Sequence, residues 1–172
     1  MQNAYLLTGS NLGNRVAYLR QAIQLIQQFC GNVMSVSGLY QTAAWGLADQ
    51  PDFYNQVIEL ETALEPATLM QSLLAIETQL GRIRTIKMGP RTIDIDILLF
   101  GSQVINTNLL TVPHPFLPVR RFALMPLAEI APAVVHPVLQ KTVLQMLADC
   151  PDQLNVHKIT PATNNETLVA NS

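Results

Sequence analysis

The run Thr92-Ile93-Asp94-Ile95-Asp96-Ile97-Leu98-Leu99-Phe100 constrains this chain more than any other. Its β-branched, aliphatic and aromatic residues read as a strand covered on both faces. Successive strand side chains alternate between faces, so Asp94 and Asp96 share one side, roughly 6–7 Å apart at about 3.3 Å per residue. Ile93, Ile95 and Ile97 take the other. Two carboxylates in such a strand are costly unless a positive charge meets them. A divalent ion is one candidate, since hard cations bind through one or two carboxylates and complete their shell with water and phosphate oxygens. An ion pair with Arg91, three residues before Asp94, is the other.

Charge along the chain favours an anionic small ligand. From Arg82 to Arg121 there are six basic residues (Arg82, Arg84, Lys87, Arg91, Arg120, Arg121) and two acids, so this segment is +4 and the remainder −6 within a net charge of −2. A nucleic-acid binder is more often basic throughout, whereas a local basic segment fits phosphate on a small molecule. The 172 residues, 49% of them hydrophobic, suit one domain over residues 1–159 with a polar, disordered tail over 160–172. Cys30 and Cys150 have no metal-ligand spacing and are too few for a disulfide framework, which suits reduced packing residues in a cytoplasmic protein. Neither a leader nor an apolar run of about 18 residues is visible, so the expectation is a protein neither exported nor membrane-spanning.

In chain order, Ala4 to Thr8 reads as a strand and residues 9–14 (GSNLGN) as a turn with an N-cap from Ser10, Asn11 or Asn14. Val16, Leu19, Ile23 and Ile26 form the apolar stripe of a helix ending near Gly31. Val33 to Tyr40 and Phe53 to Leu60 read as strands. The intervening twelve-residue loop carries Trp45, the only tryptophan, and its length suggests a functional role. Pro66 opens a second helix with Leu69, Leu73, Ile76 and Leu80 buried. Near its end Glu77 opposes the helix dipole and calls for a basic partner. Residues 82–90 form a basic loop, a candidate lid, that feeds the aspartate strand. A short strand at Gln103 to Ile105 follows, then His114 between two prolines, and a helix from Arg120 to Ile130 with Pro126 near its start or at a kink. Strand, helix, strand, strand, helix, strand is the order of a ferredoxin-like βαββαβ core. The expected class is therefore α/β (α+β), a three-layer α-β-α sandwich around a mostly antiparallel sheet.

The run Lys87-x-Gly89-Pro90-Arg91-x-x-Asp94-Ile95-Asp96-Ile97-Leu98 resembles the signature of the 6-hydroxymethyl-7,8-dihydropterin pyrophosphokinase family of folate biosynthesis. Further likenesses are spread in order: Gly9-Ser10-Asn11-Leu12, Gln50-Pro51-Asp52-Phe53-x-Asn55, Glu77 with Gly81-Arg82-x-Arg84, Val104 to Thr107, Leu110 to His114, and Arg120-x-Phe122. The resemblance covers about residues 4–150. It implies transfer of the β,γ-diphosphate of ATP to the pterin hydroxymethyl oxygen with release of AMP, a reaction needing positioning and charge neutralisation more than covalent help. It implies that Asp94 and Asp96 hold two Mg²⁺ ions and that Arg82 and Arg91 grip the transferred group. Glu77, Arg84, Lys87, Arg91, Thr111, His114 and Arg120 would form the ATP side. Phe53 and Phe122 would stack the pterin, with Thr42, Ala43, Trp45, Asn55 and Asp94 at its polar edge. The implied partners are small-molecule substrates only, bound by a monomer, with no nucleic acid and no membrane.

Some positions depart from the commonest family pattern. Ala43-Ala44 stand for a proline pair, Met88 for a lid tryptophan, Leu74 for a polar residue near ATP, and Pro115 for an aromatic. Trp45 is a candidate for the aromatic cover that Met88 lacks. Two other readings compete. Transfer of AMP by a nucleotidyltransferase would also use Asp-x-Asp on this sheet. A non-catalytic RNA-binding domain would need exposed strand aromatics, which the aspartates on a buried strand disfavour.

Overall fold

A computed structural model describes residues 1–44, 49–83 and 89–159. β1 (Gln2–Ser10) leads through a turn into α1 (Arg15–Phe29). Asn14 is the N-cap, its side chain accepting from the Ala17 N–H at 3.0 Å, as capping asparagines do. The region read as one strand from Val33 to Tyr40 is two, β2 (Asn32–Val36) and β3 (Leu39–Thr42). The break falls at Ser37-Gly38, where the Ser37 hydroxyl accepts from Val57 N–H and donates to the Gly38 carbonyl, diverting the ladder locally. β4 (Phe53–Thr62), α2 (Pro66–Gln79) and β5 (Asp94–Phe100) complete the βαββαβ core.

The sheet order is β5-β1-β4-β3, with β2 also pairing β4, and every pairing is antiparallel. A last strand, β8 (Val156–Ile159), adds to the free edge of β3. The short strand expected at Gln103 to Ile105 lies at β6 (Ile105–Asn106), which pairs only β7 (Thr111–Val112) among the described residues. α1 and α2 cover one face of the sheet, where Leu6, Leu19, Ile26, Leu69, Leu73, Ile95 and Ile97 pack together. α3 (Arg121–Ile130) and α4 (Val143–Asp149) cover the other, around Leu7, Val57, Leu98, Leu99, Leu124 and Leu127. This is the three-layer arrangement expected. Pro126 lies inside α3, past its midpoint. No helix among the described residues is long and apolar enough to cross a membrane. Cys30 and Cys150 are buried and free.

Candidate active site

The C-terminal ends of β1 and β3 and the N-terminal ends of β4 and β5 meet at one end of the sheet, on the face covered by α3. There they form a pocket lined by Leu7, Gly9, Thr42, Ala43, Phe53, Asn55, Arg91, Asp94, Asp96, Arg120 and Phe122. Antiparallel pairing explains the grouping: Thr42 is opposite Phe53 and Gly9 is opposite both Asn55 and Asp94, and paired residues point to the same face. Glycine at position 9 leaves room for the Asn55 amide, since a Cβ there would stand 2.6 Å from Asn55 Oδ1 and push it aside.

One side of the pocket is apolar and aromatic. Phe53 and Phe122 are both buried, and the Arg91 guanidinium lies 4.9 Å from the Phe53 ring centroid. The buried amide of Asn55, which lines the same pocket, has no hydrogen-bond partner for Nδ2. A buried donor left unmade costs about 1–3 kcal/mol, so this amide is set to receive an acceptor from a flat ligand.

The other side is charged. Arg82 Nη1 donates to Asp94 Oδ1 at 2.7 Å and to Glu77 Oε1 at 2.8 Å, while Arg91 Nε lies 3.5 Å from Asp94 Oδ2. Glu77 also accepts from the Ile95 N–H at 2.7 Å, tying α2 to β5. The basic partner expected for Glu77 is thus Arg82. Burial works to lower the Arg82 pKa, but Asp94 and Glu77 outweigh it and hold the guanidinium above its ordinary value. Asp96 is less well supplied. Burial, then the Asp94 charge, push its carboxyl up to about 7 against the pull of Arg120. Burial and Arg120 lower His114 to about 4. Its Nδ1 accepts from the Phe116 N–H at 3.1 Å, and its backbone N–H bonds Leu98, beside the aspartates.

The donor set suits a hard cation that brings its own ligands. Asp94 and Asp96 share one face of β5, and Asp96 sits where positive charge is short. No cluster of three or more His, Cys, Asp or Glu occurs among the described residues. An ion here would therefore complete its shell with water and substrate oxygens, as Mg²⁺ commonly does.

Of the residues proposed from the sequence, Thr42, Ala43, Phe53, Asn55, Arg91, Asp94, Asp96, Arg120 and Phe122 line this pocket, and Arg82 and Glu77 stand behind Asp94. Thr111 does not join them; it is exposed on β7 and bonds Asn106. Trp45, Arg84, Lys87 and the lid position Met88 lie outside the described residues. Asn11, a candidate N-cap and part of the Gly9-Ser10-Asn11-Leu12 likeness, instead has a buried side chain that joins the two loops of the site. Its Oδ1 accepts from Arg91 N–H at 2.9 Å, and its Nδ2 donates to Gln50 Oε1 and the Pro51 carbonyl at 2.9 and 3.0 Å. The cap-forming turn offered Asn11 a local partner instead, and the family likeness marked the position without its role.

The model of the 7,8-dihydro-6-hydroxymethylpterin-pyrophosphokinase family matches residues 5–132. The chain belongs to this family. Relatives include the 2-amino-4-hydroxy-6-hydroxymethyldihydropteridine pyrophosphokinases of Aquifex aeolicus, 43% identical over 82% of this chain and 88% of that one, and of Bacillus subtilis, 46% identical over 76% and 79%. Among solved structures, Plasmodium falciparum HPPK-DHPS aligns with a TM-score of 0.72 at 18% identity, covering 86% of this chain and 44% of that longer one. At that identity the likeness speaks for the pyrophosphokinase fold alone.

Proposed function

We propose that this pyrophosphokinase family member transfers the β,γ-diphosphate of ATP to 6-hydroxymethyl-7,8-dihydropterin, releasing AMP, as a step of folate biosynthesis. The observation that carries the reading is one pocket with two chemistries. The aromatic rings with an unpaired amide suit a flat lactam, and the carboxylates and arginines that share the pocket suit a polyphosphate. Phe53 and Phe122 stack the pterin, and Asn55 Nδ2 gives it a hydrogen bond. Arg82, Arg91 and Arg120 bind phosphate oxygens through planar forks. His114 contacts ATP as a neutral imidazole. Glu77 keeps Arg82 aimed at the site, and Arg84, Lys87 and Trp45 complete the substrate contacts.

Asp94 and Asp96 are the residues that would hold Mg²⁺, which when bound neutralises triphosphate charge and draws electron density from the β-phosphorus. During transfer the hydroxymethyl oxygen forms a bond to the β-phosphorus, the bond to the α,β-bridging oxygen breaks, and the hydroxyl proton is released. The protein holds the two substrates in line and excludes water. The test is to incubate the purified protein with ATP, Mg²⁺ and the pterin and to identify the products. AMP with pterin diphosphate is expected, whereas pyrophosphate with an adenylylated pterin would replace this reading with nucleotidyl transfer.

A further inference from the structure

The family match ends at residue 132, yet the chain continues through α4 to β8 and returns to the pocket from behind. Two contacts mark the return. The Asp152 carboxylate accepts from the backbone N–H of Arg121, the first residue of α3, at 3.1 Å, and its carbonyl accepts from Arg121 Nε at 3.1 Å. Three residues on, the Asn155 carbonyl accepts from the Thr42 hydroxyl at 3.2 Å. Arg121 is flanked by Arg120 and Phe122, and these two residues and Thr42 all line the pocket. The segment Asp152–Asn155 therefore ties α3 to β3 at two pocket-lining positions.

α3 needs an outside hold at this point. Its N-cap residue, Arg120, supplies no side-chain cap. Pro126 has no N–H for the carbonyl of Phe122, four residues earlier, so the turn that carries this ring lacks one of its own ladder bonds. A carboxylate at a helix N-terminus meets both an orphan N–H and the positive end of the dipole. Asp152 also accepts from Leu154 N–H through Oδ1 at 3.0 Å, which fixes its own rotamer.

Resting on the pterin-binding reading, we infer that Asp152 is a positioning residue that caps α3 from the C-terminal segment and thereby fixes the Phe122 wall of the pterin slot. The measurement is direct titration of the full chain with the pterin, and separately with a non-hydrolysable ATP analogue plus Mg²⁺. Asp152→Ala should weaken pterin binding roughly tenfold, the loss of one charge-assisted hydrogen bond, and change analogue binding less than about threefold. In a Phe122→Ala background the same substitution should cost less than about threefold, because the ring it positions is gone. Asp152→Asn, which keeps an acceptor, should restore most of the binding and serves if the alanine variant folds poorly. Equal losses in both backgrounds, or unchanged pterin affinity in Asp152→Ala, would overturn the inference while leaving the proposed function standing. A wild-type chain that fails to bind the pterin would instead remove both.

Discussion

Asp96 is held in a place that disfavours its charge, and this governs what its replacement should do. Its carboxyl is raised from 3.8 to about 7. In ion-free protein the associated stability is therefore fully present below about pH 4 and is lost as pH rises through 7. Asp96→Asn should melt several degrees higher than the wild type at pH 8 in chelator and level with it near pH 4, while AMP release falls roughly a hundredfold or more. Equal melting temperatures at pH 8 would contradict the assignment. His114 runs the other way along the pH axis. With its pKa lowered to about 4, the unfolded chain takes up a proton that the native one refuses between about pH 6.5 and 4, so stability is lost as pH falls through this window. Urea titrations at pH 6.5, 5 and 4 should show a smaller loss in His114→Asn, by at most about 1.4 kcal/mol per pH unit. Asn55→Ala removes the unpaired amide, and pterin affinity should fall about tenfold with little change in ATP-analogue affinity.

At the level of elements, the link between α2 and β5 is the one whose loss should be felt furthest. Glu77 is buried and holds both the Ile95 N–H and Arg82. Glu77→Ala leaves a part-buried guanidinium and a backbone donor without this partner, and should destabilise the protein by about 3 kcal/mol or more in denaturant unfolding, with turnover reduced even where the protein is fully folded. Much of this layer was legible in the sequence because periodicity reports burial directly. Val16, Leu19 and Ile26 of α1, Leu69, Leu73 and Ile76 of α2, and the alternating isoleucines of β5 are all buried as their spacing predicts. Elsewhere local signals were too short. α4 has seven residues, and β8 reads Val-His-Lys-Ile with half-buried ends and exposed centre, so neither shows a clear period. The β2–β3 break depends on the Ser37 hydroxyl reaching Val57, a partner 20 residues away. The same limit hid the roles of Asn11 and Asp152, whose partners are set by tertiary contact, whereas Asp94 and Asp96 were visible as a violation of the apolar strand around them.

For the whole molecule, we propose that residues 1–159 form the unit that carries the activity. A chain ending at Ile159 should retain AMP release within about twofold and melt within a few degrees of the full chain; loss of either would assign residues 160–172 a part in the domain. The strand directions have a further consequence. β1 enters at Gln2, opposite Thr62, and reaches the pocket at Leu7 and Gly9, while β8 starts beside Thr42 and runs away from it to Ile159. The outer ends of both strands, Gln2 and Ile159, therefore lie away from the pocket-lining Gly9 and Thr42 on their own ladders, which would let a second module be joined at either end without abutting those residues.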